Sequence, residues 1–396
     1  MINRPMYLNK LVKTIDNDLV KILVGVRRSG KSTLLKMVKQ YLLTHDVLKE
    51  QIIDINFELI ENDYLKSKDE FVAYVRENLV SNKKSYLFVD EIQELDNWAR
   101  IINSLKVSEN IDIYLTGSNA RLFIGDHLTY LAGRYISFNV YPLSYKEYLE
   151  FKNIDEINLN LYNDFLDSSF PALVLETHDD IKTMMKQDMF DTIFRRDMIM
   201  RGNISNESMF FRVARYVLEH IGSPISINKI TNTLNSLGLK ISYGTIDSYI
   251  DLMMKSYFIY QCQRYDIKGK EILKTNGKYY VVDFGIRYQL IPNTNSNTGR
   301  VLENFVYLEL VKHGYHVYVG KIGRDLEIDF IATKDDKRLY IQVSQSVMDP
   351  KTREREIKPF SLLKDMSKRY LVSLDSVMIE SDYFEHLNVL DFINKL

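Results

Sequence analysis

The chain has 396 residues, more than one hydrophobic core supports, so two or three domains are expected. With 45% apolar and 27% charged residues, and only 16 Gly and 7 Pro, the composition excludes a disordered or fibrous protein. Lysine plus arginine (52) nearly balance aspartate plus glutamate (53); the net charge of -1 excludes a global basic field for nucleic acid, and the lone Cys262 excludes an intrachain disulfide or a multi-cysteine zinc site. No apolar run approaches a membrane span and MINRPMYLNK has no apolar signal core, so no membrane contact and a cytoplasmic location are expected.

The first apolar run, Val20-Lys21-Ile22-Leu23-Val24, stops at Gly25, after which Leu34, Leu35, Val38 and Leu42 recur at helical spacing. This predicts strand, loop, helix. Further runs at 52–55, 86–89 and 111–115 alternate with helical patterns at Phe71, Val72, Val75 and Leu79 and at Trp98, Ile101, Ile102 and Leu105. Strands alternating with helices predict an α/β fold, a parallel sheet with helices on both faces, whose reactive groups lie just beyond the carboxyl ends of the strands.

Behind the first run stands Gly25-Val26-Arg27-Arg28-Ser29-Gly30-Lys31-Ser32-Thr33, a full match to the P-loop pattern G-x-x-x-x-G-K-[ST]. Its glycines let backbone N–H groups fold around phosphates, with Arg28 and Ser29 in the loop and Thr33 behind it; Lys31 reaches the β and γ oxygens and the Ser32 hydroxyl ligates Mg²⁺. The third run ends in Asp90-Glu91, where Asp90 suits Mg²⁺ and Glu91 suits a general base on water. The fourth ends in Thr116-Gly117-Ser118-Asn119; Ser118 and Asn119 suit contact with the γ-phosphate or attacking water, although a turn with a helix cap uses the same residues.

The segments GVRRSGKSTLL, YLFVDEIQEL, LTGSNARL, LAGRY and YPLSYKEYL, in this order, resemble the AAA-type P-loop ATPases of bacteria and archaea that carry an uncharacterised C-terminal domain. The resemblance is specific over residues 1–150. It implies a P-loop fold with an additional strand, ATP and Mg²⁺ as ligands, a sensor at Ser118 or Asn119, and an arginine finger at Arg134 or else Arg121. A finger acting in trans would require a homo-oligomer.

Beyond the ATPase domain at 1–150, Ser144 and Glu147 form a capping box opening a helix, and 151–204 reads as a helical lid and connector broken at Ser168-Ser169-Phe170-Pro171. Arg195 and Arg196 there read as partners in ion pairs. Three amphipathic stretches at 210–221, 226–237 and 243–254, followed by Tyr257-Phe258-Ile259-Tyr260, resemble a winged helix over 205–291, although its third helix is poor in the Lys and Arg that phosphates require. The polar run at 292–299 reads as a linker. Over 300–396, a helix carrying Glu303, then Asp329 in a hairpin, then Gln342 and Ser344 on the next strand trace the outline of a restriction-endonuclease-like PD-(D/E)XK fold. Gln342 and Ser344 stand where the nuclease pattern has a second carboxylate and a lysine, so a catalytically degenerate domain is expected. DNA contact, if it exists, falls to local clusters such as Lys351, Arg353, Arg355 and Lys358. The function expected is Mg²⁺-dependent ATP hydrolysis coupled to the C-terminal domains. The alternatives are an ATP-bound switch with little turnover, or a nucleotide-gated DNA-binding protein or nuclease.

Overall fold

The computed structural model describes residues 2–120, 130–155, 159–291, 298–323 and 326–396, which form two compact units. The first is built on residues up to Pro142 together with Lys255–Tyr257. Its sheet contains β1 (Val20–Val24), β2 (Ile52–Asn56), β3 (Ser85–Asp90), β4 (Ile111–Gly117) and β5 (Tyr135–Asn139), all parallel, in the order β2-β3-β4-β1-β5. The additional strand, β4, separates the P-loop strand β1 from the Asp90 strand β3.

Side chains alternate across this sheet and both faces are buried, as parallel sheets require. Val20, Ile22, Val24, Ile53, Ile55, Leu87, Val89, Ile113 and Leu115 pack on one face, against α3 (Lys68–Glu77) and α4 (Trp98–Ser108). Leu23, Tyr86, Phe88 and Tyr114 pack on the other, with α1 (Pro5–Val12) and α2 (Lys31–Leu43). One apolar alternation is broken: Lys21 on the interior strand β1 is fully buried and pairs with Asp112, which also accepts from the Tyr114 hydroxyl and the Asp16 N–H.

The second unit holds the rest of the chain and starts with helices. Ser144 and Glu147 form the expected capping box on α5 (Tyr145–Lys152). The helices α6 (Leu159–Asp167), α7 (Pro171–Leu175) and α8 (Asp179–Asp191) follow, and α8 continues as a π-helix over Thr192–Met200. Arg195 lies there exposed beside Asp191 and Glu207, the ion-pair role expected of it. Next come α9 (Glu207–Glu219), α10 (Ile227–Ser236) and α11 (Tyr243–Lys255), close to the three amphipathic stretches.

The hairpin β6 (Ile259–Asp266) and β7 (Glu271–Val281) departs from the expected organisation. It belongs to one mixed sheet with β8 (His316–Ile322), β9 (Leu326–Lys334), β10 (Lys337–Val343), β11 (Lys368–Ser373) and β12 (Glu385–Asn388), in the order β12-β11-β10-β9-β8-β6-β7. The parallel pairing of β6 with β8 makes this join, so the sheet runs through from 259 to 388 rather than ending at the linker, whose residues 292–297 lie outside the described residues. Among the described residues the unit also holds α12 (Phe284–Arg287), α13 (Thr298–Lys312), α14 (Pro350–Ile357) and α15 (Val389–Asn394). Asn304 of α13 accepts from Val281 N–H and donates to Val281 C=O, fixing the helix on β7. No described helix is long and apolar enough to cross a membrane.

Candidate nucleotide site

β1 delivers the P-loop at its carboxyl end. Gly25 adopts φ 149°, and a Cβ there would sit 2.1 Å from the Val140 carbonyl oxygen, so only glycine fits between the loop and the end of β5. Gly30 takes a left-handed conformation and starts α2 with no side chain capping it, leaving the helix N–H groups facing the loop. Lys31 is buried and its ammonium donates to the Gly25 and Val26 carbonyls, 2.9 and 3.0 Å away. Ser29 Oγ is buried without a hydrogen-bond partner, a donor left over inside the loop. Arg28, Ser32 and Thr33 are exposed around its rim. A phosphate chain would satisfy these groups together, and the residues present fit ATP with Mg²⁺.

The carboxyl ends of β3 and β4 bring the acidic pair to this loop. Thr116 joins the two carboxylate residues: its hydroxyl donates to Asp90 and accepts from the Glu91 N–H at 3.0 Å. Glu91 has a left-handed backbone (φ 59°), the kind of strain that a functional turn holds in place. Its Oε2 accepts from Ser118 Oγ at 3.0 Å and from Gln93, and lies 3.9 Å from the Arg27 guanidinium. Burial pushes the Glu91 carboxyl up, but the charges of Lys31 and Arg27 and the bonds from Ser118 and Gln93 outweigh it and leave the group below its ordinary value. Burial dominates at Asp90, whose carboxyl is raised despite hydrogen bonds from Thr116 and Ser32. The structure thus brings together Gly25, Ser29, Gly30, Lys31, Ser32, Asp90, Glu91 and Ser118; Asn119 is buried next to Ser118.

Arg134 is not brought there. Its carbonyl accepts from Val20 N–H at the amino end of β5, and five residues of parallel strand, about 17 Å, separate that end from the P-loop. Its exposed guanidinium donates to Asn103. Arg121 lies outside the described residues.

Several residues here escape sequence reasoning. Arg27, inside the motif at a variable position, is buried and donates to Glu58 at 2.8 Å. Arg4 is buried far upstream of the motif, donating to the Ser29 and Tyr141 carbonyls. Thr116 carried a signal, being polar at a strand end beside the proposed sensor, whereas Arg4 carried none.

In the second unit Glu303, Asp329 and Gln342 do meet. Gln342 Oε1 accepts from the Asp329 N–H at 2.7 Å and its amide donates to Glu356, so the oxygen is not turned toward a metal. Ser344 donates to the Ser346 carbonyl instead. The Gln342 and Ser344 positions carry no lysine, but Lys278 on β7 reaches the carboxylates from another strand, 2.9 Å from Glu303 and 3.4 Å from Asp329. In the basic run on α14 and just beyond it, Arg353 bonds backbone carbonyls and Arg355 pairs with Glu356.

Residues 17–149 match the family model described as an AAA domain, and residues 160–297 match a domain of unknown function, DUF8612. An uncharacterized protein of Haemophilus influenzae is 36% identical over 99% of this chain and 98% of its own length; an uncharacterized protein of Methanocaldococcus jannaschii is 31% identical over 96% and 86%. The Walker-type ATPase of Pyrococcus abyssi, a solved structure, is 14% identical with a TM-score of 0.48, over 73% of this chain and 96% of its own. The fold and site define a P-loop protein of the AAA class. The chain belongs to the family of these bacterial and archaeal proteins, with an AAA domain followed by a C-terminal unit.

Proposed function

We propose that the chain is a Mg²⁺-dependent ATPase whose nucleotide state governs its C-terminal unit. The observation that carries this reading is the convergence of Lys31, Asp90, Glu91 and Ser118 at the ends of three adjacent strands. Lys31 leaves its two loop carbonyls for the β and γ oxygens of ATP. Ser32 and Asp90 would hold Mg²⁺, which would supply positive charge to the phosphate oxygens. Glu91, ionised at neutral pH, accepts a proton from the attacking water, and Ser118 orients its carboxylate. Ser29 donates its free hydroxyl to a phosphate oxygen. Asn119 serves beside Ser118 as a sensor of the γ-phosphate. Arg134, exposed ahead of the edge strand β5, serves as an arginine finger to the site of a second copy.

The engagement of Glu91 Oε2 by Ser118 and Gln93 favours a second reading, a switch that binds ATP and turns it over slowly. Phosphate release from Mg²⁺-ATP, with an EDTA arm, decides between them. Sustained metal-dependent turnover supports the enzyme; stoichiometric binding without turnover supports the switch; no nucleotide binding removes both.

A further inference from the structure

The most unusual electrostatic feature outside the P-loop is the cluster around Lys278. Its ammonium lies 2.7 Å from Glu327, 2.9 Å from Glu303 and 3.4 Å from Asp329, with only 4% of the side chain exposed. The carboxylates come from α13 and β9, and the lysine comes from β7. Tyr280 OH donates to Glu303 at 2.7 Å and Val343 N–H to Asp329 at 2.9 Å. Burial alone would discharge the amine, yet Glu303, Asp329 and Glu327 hold it charged well above the ordinary lysine range. Burial likewise raises Glu303 and Asp329, against the pull of the Lys278 charge, and the Arg264 guanidinium lies 4.0 Å from Glu327 at the edge of the cluster.

The turn between α9 and α10 closes the cluster. Gly222 N–H donates to the Tyr279 carbonyl, Ile225 N–H to the Gly277 carbonyl, and Pro224 bridges to Lys278. Gly222 has φ 68°, and a Cβ there would come within 3.2 Å of Glu303 Oε2. The helical layer and the mixed sheet therefore meet at one ion cluster, whose lysine is buried and whose carboxylates are partly exposed.

We propose that Lys278 is the resident cation of this cluster, an ammonium tethered where three converging carboxylates would otherwise collect a divalent metal ion, and that the cluster fastens the helical layer to the sheet instead of hydrolysing phosphodiesters. Carboxylate oxygens in this number suit Mg²⁺, Mn²⁺ or Ca²⁺. A tethered ammonium offers the same charge contact without an exchangeable water, so the cluster lacks the metal-bound water that a metal-dependent nuclease activates. Removing the ammonium while keeping the carboxylates leaves uncompensated, partly buried negative charge, which a divalent ion relieves.

Mn²⁺ titration of the full chain without nucleotide, read by loss of the free-ion electron paramagnetic resonance signal, tests this. Wild type and Lys278→Arg should show no binding that depends on Asp329. Lys278→Met should gain Mn²⁺ uptake, with a rise in melting temperature on Mn²⁺ addition, and Asp329→Asn in the same chain should abolish both. Wild-type Mn²⁺ binding lost on Asp329→Asn would overturn the proposal, as would a folded Lys278→Met protein that gains none. The wild-type and Lys278→Arg arms decide the matter even where Lys278→Met fails to fold.

Discussion

Thr116, Asp90 and Glu91 illustrate what single residues contribute. The Thr116 hydroxyl is fully buried and serves two partners at once, so Thr116→Val leaves both the Asp90 carboxylate and the Glu91 N–H short of a partner. A loss of about 1–3 kcal/mol in urea unfolding is expected; unchanged stability would mean that water replaces the hydroxyl. Glu91 also has a pH signature. Its folded-state carboxyl lies below the ordinary value of 4.5, so it contributes stability that is present above that pH and is lost as pH falls through the lower folded value. Wild type should therefore lose stability relative to Glu91→Gln as pH drops below 4.5, and a relative gain toward acid would contradict the assignment. The neighbouring Asp90 is raised chiefly by burial and only in smaller part by the Glu91 charge, so most of its contribution is common to the two proteins.

Among elements, the P-loop is set by backbone conformation. Gly25→Ala forces a Cβ against the Val140 carbonyl and should cost about 1–3 kcal/mol in unfolding while weakening ATP binding, measured by urea melts and nucleotide titration. Strands β1 to β4 and helices α2 to α4 were legible because local hydrophobic period and flanking glycines determine them, and the three helices from 207 to 255 were legible for the same reason. The pairing of β6 with β8 was not, since it joins residues such as Arg264 and Val319 with no local signature. Lys278 was hidden likewise: it stands just ahead of the apolar run Tyr279-Tyr280-Val281-Val282, where a lysine reads as a solvated flank, and its partners Glu303, Glu327 and Asp329 are brought to it only by the completed sheet. The P-loop and acidic pair were legible because their spacing is their mechanism, whereas the Arg4 bond to Ser29 is purely tertiary.

For the whole molecule, Arg134 separates a self-sufficient ATPase from an assembly-dependent one. It lies at the opposite strand end from its own P-loop, so a catalytic role demands a neighbour's site. Arg134→Ala should bind ATP normally and lose turnover, and adding Glu91→Gln protein, which retains Arg134, should restore part of it. Full turnover by Arg134→Ala alone would dismiss the finger. The central claim, hydrolysis at this P-loop by Glu91 with Lys31 holding the phosphates, is tested most directly by measuring ATP affinity and steady-state turnover together for wild type, Lys31→Ala and Glu91→Gln. The account predicts weakened binding for Lys31→Ala, and intact binding with turnover slowed by about 10²-fold or more for Glu91→Gln. Equal affinity for wild type and Lys31→Ala, or full turnover by Glu91→Gln, would contradict it.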